Sequence, residues 1–125
     1  MNVVDSSGWL EFFAAGPNAS AFAPPIQDIK RLLVPAITLT EVFKRILQQK
    51  DEPSALQAVG HMMQGEVIPL DSELAVEAGR LGHALKIPLA DSIILATARH
   101  RQAVLWTQDE DFKSIPGVRY IPKLR

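Results

Sequence analysis

The sequence predicts an α/β fold, namely a three-layer α/β/α sandwich around a central parallel sheet of about five strands. Short runs of β-branched and apolar residues alternate with longer segments whose apolar residues recur at helical spacing. Such alternation is typical of a parallel sheet that carries helices on both faces. The 125 residues contain neither an internal repeat nor a linker-like stretch, so we expect one domain over residues 1–125.

Five short runs of β-branched or apolar residues have the pattern of strands. In chain order they are Asn2–Val4, Leu32–Pro35, Val67–Leu70, Val104–Thr107 and Arg119–Pro122.

Helical patterns lie between these strands. They cover Ser6–Ala14, Ala19–Lys30, Thr38–Gln49, Ser54–Gln64, Ser72–Leu85, Ala90–His100 and the short segment Glu110–Ser114. The helix over Ala90–His100 should be largely buried, because Ile93–Ala98 is almost continuously apolar. We predict a break at Pro24–Pro25. The stretch Ala14–Pro25, rich in Ala, Pro, Gly, Asn and Ser, is expected to be a mobile loop beside the functional edge.

Composition narrows the class of protein. The hydrophobic fraction of 47% and the charged fraction of 22% are those of an ordinary globular protein. The absence of cysteine excludes disulfides, thiolate metal sites and cysteine nucleophiles, and fits a reducing compartment. No apolar run approaches the roughly 20 residues that span a bilayer, and Asp5 interrupts any signal-peptide pattern. We therefore expect a cytoplasmic protein with no membrane association.

Four acidic residues stand at the edges of apolar segments, and they are Asp5, Glu41, Asp91 and Asp109. Acids in such positions can meet at the carboxyl edge of a parallel sheet, where open α/β folds place their chemistry. With no cysteine and only scattered histidines, a carboxylate cluster suits a hard divalent cation such as Mg²⁺ or Mn²⁺. The pattern predicts metal-dependent chemistry on phosphate.

Each acid also has a structural alternative. Asp5 could cap the first helix, although Ser6 and Ser7 are also suitable cap residues. Thr38 and Glu41 have the spacing of a capping box, which makes capping a strong competitor for Glu41.

The later acids have comparable alternatives. Asp91 could be a first-turn acid favoured by the helix dipole, and Asp109 or Asp111 could cap the short helix that follows. We prefer Asp109 to Asp111 as the functional acid because it lies nearer the strand end. Asp71 is interpreted as a helix cap only.

Four segments together resemble the PIN domain, in particular the VapC-type toxins of bacterial toxin–antitoxin pairs. They are VVDSSGWLEFF, TLTEVFKR, IPLADSIILATAR and LWTQDEDFKSIPGV, and they extend over essentially the full length. The resemblance implies a Mg²⁺-dependent, or Mn²⁺-dependent, endoribonuclease that leaves 5′-phosphate and 3′-hydroxyl ends.

The resemblance also assigns residues. The catalytic acids would be Asp5, Glu41, Asp91 and Asp109, of which Asp5, Asp91 and Asp109 would be the principal metal ligands. Glu41 would hold a metal-bound water or a second metal and would help to deprotonate the attacking water. The auxiliary residues would be Asp111, Thr107 and Ser6. Weaker candidates for holding the RNA backbone are Lys44, Arg45, Arg99 and Arg101, which could equally be solvated helix surface.

Partners follow from the resemblance too: an RNA substrate, a cognate VapB-type antitoxin and a second copy of the chain in a homodimer. Other functions remain open. One is a PIN-like module that binds RNA or a partner without cutting. Another is a receiver-like phosphoacceptor, which normally has paired acids after the first strand, whereas Asp5 is followed by Ser6 and Ser7. A haloacid-dehalogenase-type phosphatase would need an acid where Ser7 stands.

Overall fold

The computed structural model describes residues 1–124 and contains a five-stranded sheet. The strands are β1 (Asn2–Val4), β2 (Leu32–Pro35), β3 (Glu66–Ile68), β4 (Val104–Thr107) and β5 (Val118–Tyr120). Their spatial order is β3-β2-β1-β4-β5, and every neighbouring pair is parallel. The predicted parallel sheet is thus confirmed, with β1 at its centre.

Within the described residues, six α-helices connect the strands: α1 (Ser6–Phe13), α2 (Ala19–Gln27), α3 (Ala36–Gln49), α4 (Glu52–Met62), α5 (Ser72–Leu85) and α6 (Leu89–His100). Two 3₁₀ turns lie at Ile29–Arg31 and Glu110–Phe112. Asp71 caps α5 by accepting the Leu74 amide at 2.8 Å, as expected from its position before the helix. Asp51 does the same for α4 through the Ser54 amide.

The sheet separates two apolar cores, because successive side chains of a strand point to opposite faces. Val3 and Leu33 belong to the core that α5 and α6 cover, whereas Val4 and Val34 belong to the core that contains Trp9 of α1. Seven consecutive residues of α6, from 92 to 98, are buried. The three-layer architecture and the burial of α6 are therefore as predicted.

The predicted break at Pro24–Pro25 is wrong, because α2 continues through both prolines to Gln27. The part of the predicted loop from Ala19 onward is consequently helical. Two prolines remove two intrahelical hydrogen bonds, but Pro25 and its neighbour Ile26 are buried. Tertiary packing therefore outweighs the local preference.

The capping box that competed with a functional role for Glu41 does not form. Helix α3 begins two residues earlier than expected, at Ala36, with Pro35 as its cap residue. Thr38 lies inside the first turn, and its hydroxyl donates to the Pro35 carbonyl at 2.7 Å. Glu41 therefore lies in the second turn, where it caps nothing.

The remaining differences are small shifts at element ends. Strands β3 and β5 each begin one residue before the predicted start, α4 begins at Glu52 instead of Ser54, and the predicted helix over Glu110–Ser114 is the 3₁₀ turn. None of the single helices within residues 1–124 is long and apolar enough to cross a membrane. The consecutive pair α5 and α6 reaches that length only across a bend of 114°.

Candidate active site

The topology creates a crevice at the carboxyl ends of β1 and β4. From β1 the chain proceeds to β2 and β3 on one side, and it returns to β4 and β5 on the other. Such a reversal of strand order opens a crevice in which α/β proteins bind their ligands. Asp5 follows β1 directly, and its amide donates to the Trp106 carbonyl of β4 at 3.1 Å. The first predicted acid therefore lies at this crevice.

Asp5 is buried, with 2% of its surface exposed, and every polar contact of its carboxylate is internal. One oxygen accepts the Gly8 amide at 3.0 Å and the Ser7 hydroxyl at 2.7 Å. The other accepts the Thr107 hydroxyl at 2.7 Å. Burial raises the pKa of Asp5 to about 6 despite these hydrogen bonds, and the charge of Asp109 adds to the increase. Asp5 thus caps α1 and also contributes negative charge to the crevice.

Gly8 makes this arrangement possible. A Cβ atom at Gly8 would lie 2.7 Å from both the Phe22 ring and the Val4 side chain. Only a residue without a side chain therefore lets the first turn of α1 approach the core closely enough for its amide to reach Asp5.

Three other carboxylates converge beside Asp5. Asp91 in the first turn of α6, Asp109 after β4 and Asp111 in the 3₁₀ turn each offer one oxygen, and these oxygens lie within 4.8 Å of one another. We call this group the acid cluster. Asp111 is an auxiliary residue in the sequence interpretation, but the structure brings one of its carboxylate oxygens within 4.8 Å of those of both Asp91 and Asp109.

The electrostatics of the acid cluster are those of crowded carboxylates. The pKa of Asp91 is raised to about 8, first by burial and then by the charge of Asp109, with smaller contributions from Asp111 and Asp5. Like charges at this separation oppose one another's ionisation unless a cation intervenes. An all-oxygen donor set of this kind fits Mg²⁺ or Mn²⁺.

Thr107, the last residue of β4, connects the two parts of the site. Its hydroxyl donates to Asp5 and accepts the Asp109 amide at 2.9 Å. Asp109 in turn accepts the Asp111 amide at 2.9 Å, which caps the 3₁₀ turn. A single buried hydroxyl therefore fixes the position of Asp5 relative to the loop that carries the acid cluster.

Glu41 lies outside the acid cluster and is held by Ser6. The Ser6 hydroxyl donates to Glu41 Oε1 at 2.5 Å, and Ser6 directly follows Asp5 in the chain. The structure thus brings Glu41 to the rim of the crevice.

Ser7 and Asn18 also support the site, and the sequence interpretation gave neither of them this role. The Ser7 hydroxyl, besides contacting Asp5, accepts the Gln108 amide at 3.3 Å. The Asn18 side chain donates to Gln108 at 3.1 Å and to the Pro122 carbonyl at 2.9 Å. The position of Ser7, two residues after Asp5, could have indicated its contact with the Asp5 carboxylate. Nothing in the sequence links Asn18 with Gln108.

The four basic residues predicted as weaker candidates for RNA binding lie in different parts of the structure. Arg45 lines a cleft that also contains Ser7, whereas Lys44 lines an apolar groove on α3 and α4. Arg99 and Arg101 lie at the opposite end of α6 from Asp91. Arg101 pairs there with Glu66 at the start of β3, with distances of 3.1 and 3.2 Å. Of these four residues, only Arg45 lines the cleft that Ser7 and Gln108 also line.

Solved structures with the same overall fold include proteins of toxin–antitoxin systems. A chain of a toxin–antitoxin complex from Klebsiella pneumoniae is 24% identical, with a TM-score of 0.78 over 97% of this chain and 100% of that one. A chain of DNA-bound VapBC from Salmonella typhimurium is 20% identical, with a TM-score of 0.74 over 97% and 96%. The sarcin–ricin loop cleaving toxin VapC20 of Mycobacterium tuberculosis is 13% identical, with a TM-score of 0.76 over 93% and 95%.

The sequence itself matches one family model. No curated protein matches the chain, but the model of the PIN domain matches residues 3–118. This match covers the crevice and all the acids around it, and it confirms the resemblance on which the sequence interpretation relied. The chain belongs to the PIN domain family.

Proposed function

We propose that this protein is a Mg²⁺-dependent or Mn²⁺-dependent endoribonuclease and the toxin of a VapBC-type toxin–antitoxin pair. The observation that carries the proposal is the acid cluster of Asp91, Asp109 and Asp111 beside buried Asp5, at the crevice of a PIN domain. The fold shared with VapC20, a toxin that cleaves the sarcin–ricin loop, supports RNA as the substrate.

The acid cluster would hold the divalent cation, with Asp5 as a fixed negative charge behind it. A bound Mg²⁺ or Mn²⁺ would neutralise the repulsion between carboxylates, orient the scissile phosphate and lower the pKa of the attacking water. The acids contribute by converging before substrate arrives, because Thr107 and the 3₁₀ turn hold them in place.

Glu41 would act as the general base. Water attacks the phosphorus, the bond from phosphorus to the 3′-oxygen breaks, and the water proton passes to the Glu41 carboxylate. The leaving 3′-oxygen takes a proton from solvent, which gives a 5′-phosphate and a 3′-hydroxyl. The Ser6 hydroxyl would hold Glu41 in the orientation that this transfer requires.

The experiment is a cleavage assay on total RNA with the purified protein, in Mg²⁺ and in EDTA. Asp91→Asn should abolish the Mg²⁺-dependent cleavage, because it removes one charge from the acid cluster. The matched control is Asp71→Asn, which makes the same chemical change at a helix cap and keeps an acceptor for the Leu74 amide. Cleavage retained by Asp91→Asn would contradict the proposal.

The partner belongs to the same proposal. Chains in VapBC complexes share this fold, which supports a VapB-type antitoxin encoded beside this gene, and we extend the proposal to a homodimer of the toxin. Native mass spectrometry of the protein, alone and co-expressed with the neighbouring product, tests both assemblies. Stable RNA binding without cleavage would instead favour the alternative of a non-cleaving PIN-like module.

A further inference from the structure

A cleft of about 760 Å³ lies between α1, α3 and α4 and opens beside the acids. Ser7 and Gln108 form its end nearest to the active site. Ser7 contacts Asp5, and Gln108 directly precedes Asp109 in the chain. A molecule lying in this cleft would therefore extend away from the site where the acids meet.

Three cations line the cleft: Arg45 and Lys50 near the end of α3, and Lys123 after β5. Within residues 1–124, none of the three forms an ion pair. Among residues 1–124, the one carboxylate in the lining is that of Glu11, which accepts the Asn18 backbone amide at 2.7 Å. In a protein of net charge −1, this local excess of positive charge favours an anionic ligand.

Aromatic rings form the other part of the lining. Phe13 and His61 both border the cleft, and their ring centroids are 5.6 Å apart. Behind them, Trp9 is fully buried and stacks on Phe13 at 5.6 Å, which fixes the position of that ring. His61 itself is exposed, so its ring is accessible to a ligand.

Cations and an accessible aromatic ring in the same cleft are features that bind unpaired nucleic acid, since phosphates meet the cations and bases stack on the ring. Bases in a duplex are stacked on each other and cannot use such rings. We infer that this cleft binds an unpaired segment of the RNA chain flanking the scissile phosphate. Arg45, Lys50 and Lys123 would contact phosphates there, and a base would stack on His61. The inference rests on the proposed ribonuclease function.

Binding is measured by fluorescence anisotropy with a labelled single-stranded oligoribonucleotide of mixed sequence and with its duplex. The protein carries Asp91→Asn and EDTA is present, so that the RNA stays intact. Lys50→Glu or Lys123→Glu should each weaken binding of the single strand about tenfold. The matched control is Lys30→Glu, the same charge change on an exposed residue of the 3₁₀ turn that precedes β2, at the amino ends of the strands.

Two further readouts separate charge from stacking. Lys50→Ala should reduce the slope of log affinity against log salt by about 0.7, the value for one phosphate contact on a single strand. His61→Ala should weaken binding about fivefold or more, and His61→Phe should restore it because the ring returns. Loss of affinity in both His61 variants would exclude stacking and overturn that part of the inference.

The outcomes distinguish the cleft from the proposed function. Suppose that the parent cleaves RNA and Asp91→Asn does not, but the Lys50 and Lys123 variants bind RNA as tightly as Lys30→Glu does. That result would overturn the inference that the cleft binds RNA and would leave the proposed ribonuclease function intact. Equal affinity for duplex would also overturn it. If Lys50→Glu and Lys123→Glu retain RNA binding but lose co-purification with the antitoxin, the cleft binds protein and the inference is wrong.

Discussion

The hydroxyl of Ser6 donates a hydrogen bond of 2.5 Å to Oε1 of Glu41, across 35 residues of sequence. The contact joins the first turn of α1 to the second turn of α3. Because α3 begins at Ala36, Glu41 does not cap that helix. The only hydrogen bond to the Glu41 side chain within residues 1–124 thus comes from the residue that follows Asp5.

This contact predicts different effects for two substitutions. Glu41→Gln keeps an oxygen for Ser6 but cannot take up a proton, so the rate of cleavage should fall about a hundredfold or more. Ser6→Ala leaves the base present but less well oriented, and should lower the rate about tenfold while retaining its dependence on pH. Single-turnover cleavage across pH measures both effects. Equal rates in Glu41→Gln and the parent would exclude Glu41 as the base.

Thr107 should be important for stability as well as for cleavage. Thr107→Val keeps the shape of the side chain but leaves one Asp5 oxygen and the Asp109 amide without their partner. Each lost partner of a buried polar group costs about 1–3 kcal/mol, so the free energy of unfolding should fall measurably in urea titrations.

Thr97→Val is the matched control for this change. Thr97 is also buried, and its hydroxyl donates only to the Ile93 carbonyl of its own helix, at 2.8 Å. That carbonyl lies in the interior of α6, where a helical amide also reaches it, so little should be lost. Similar destabilisation by both substitutions would contradict the linking role of Thr107.

The sequence was sufficient to predict the sheet and the edge at which the acids meet. Period-two and helical spacings report which face of an element is buried, and parallel strands bring their carboxyl ends together regardless of loop detail. Asp5 and Asp91 could therefore be assigned to one edge. The start of α3 was harder to predict, because Thr38 and Glu41 have the spacing of a capping box whereas the helix begins two residues earlier, at Ala36.

Contacts between distant segments could not be predicted in the same way. The closeness of Asp111 to Asp91 depends on how the 3₁₀ turn folds after β4. The position of Lys123 in the cleft depends on the path after β5, where the Asn18 side chain holds the Pro122 carbonyl. Such contacts are set by tertiary packing, and single-sequence patterns carry no information about them.

The raised pKa of Asp91 predicts how stability depends on pH. An ordinary Asp has a pKa near 4, whereas that of Asp91 in the folded protein is about 8. Between these values the folded state binds more protons than the unfolded state, so metal-free stability should fall as pH rises from about 4 to about 8. Asp5 acts in the same direction, up to about pH 6. Urea unfolding in EDTA at several pH values measures this trend.

Asp91→Asn isolates the contribution of Asp91, because an amide does not titrate. The variant should be more stable than the parent at pH 8, and the advantage should disappear toward pH 4. Asp71→Asn serves as the control, since Asp71 caps α5 away from the acid cluster. A stability difference that does not change with pH would show that Asp91 ionises normally in the folded state.

Metal binding tests which acids form the cluster. Millimolar Mg²⁺ should raise the melting temperature of the parent, because a ligand that binds only the folded state stabilises it. The increase should be larger at pH 8 than at pH 5, since bound metal must displace the proton that Asp91 otherwise holds. Asp109→Asn and Asp111→Asn should each remove most of the increase, although Asn at 109 can still cap the turn.

Glu110→Gln provides the decisive comparison for these two variants. Glu110 lies between Asp109, which caps the 3₁₀ turn, and Asp111 within the turn; it is exposed and lies outside the acid cluster. All three variants lose one negative charge from the same turn, so general electrostatics would affect them alike. If only Asp109 and Asp111 are needed for the thermal shift, the carboxylates act as ligands. If Glu110→Gln abolishes the shift equally, Mg²⁺ responds to the overall charge of the turn and not to a defined site.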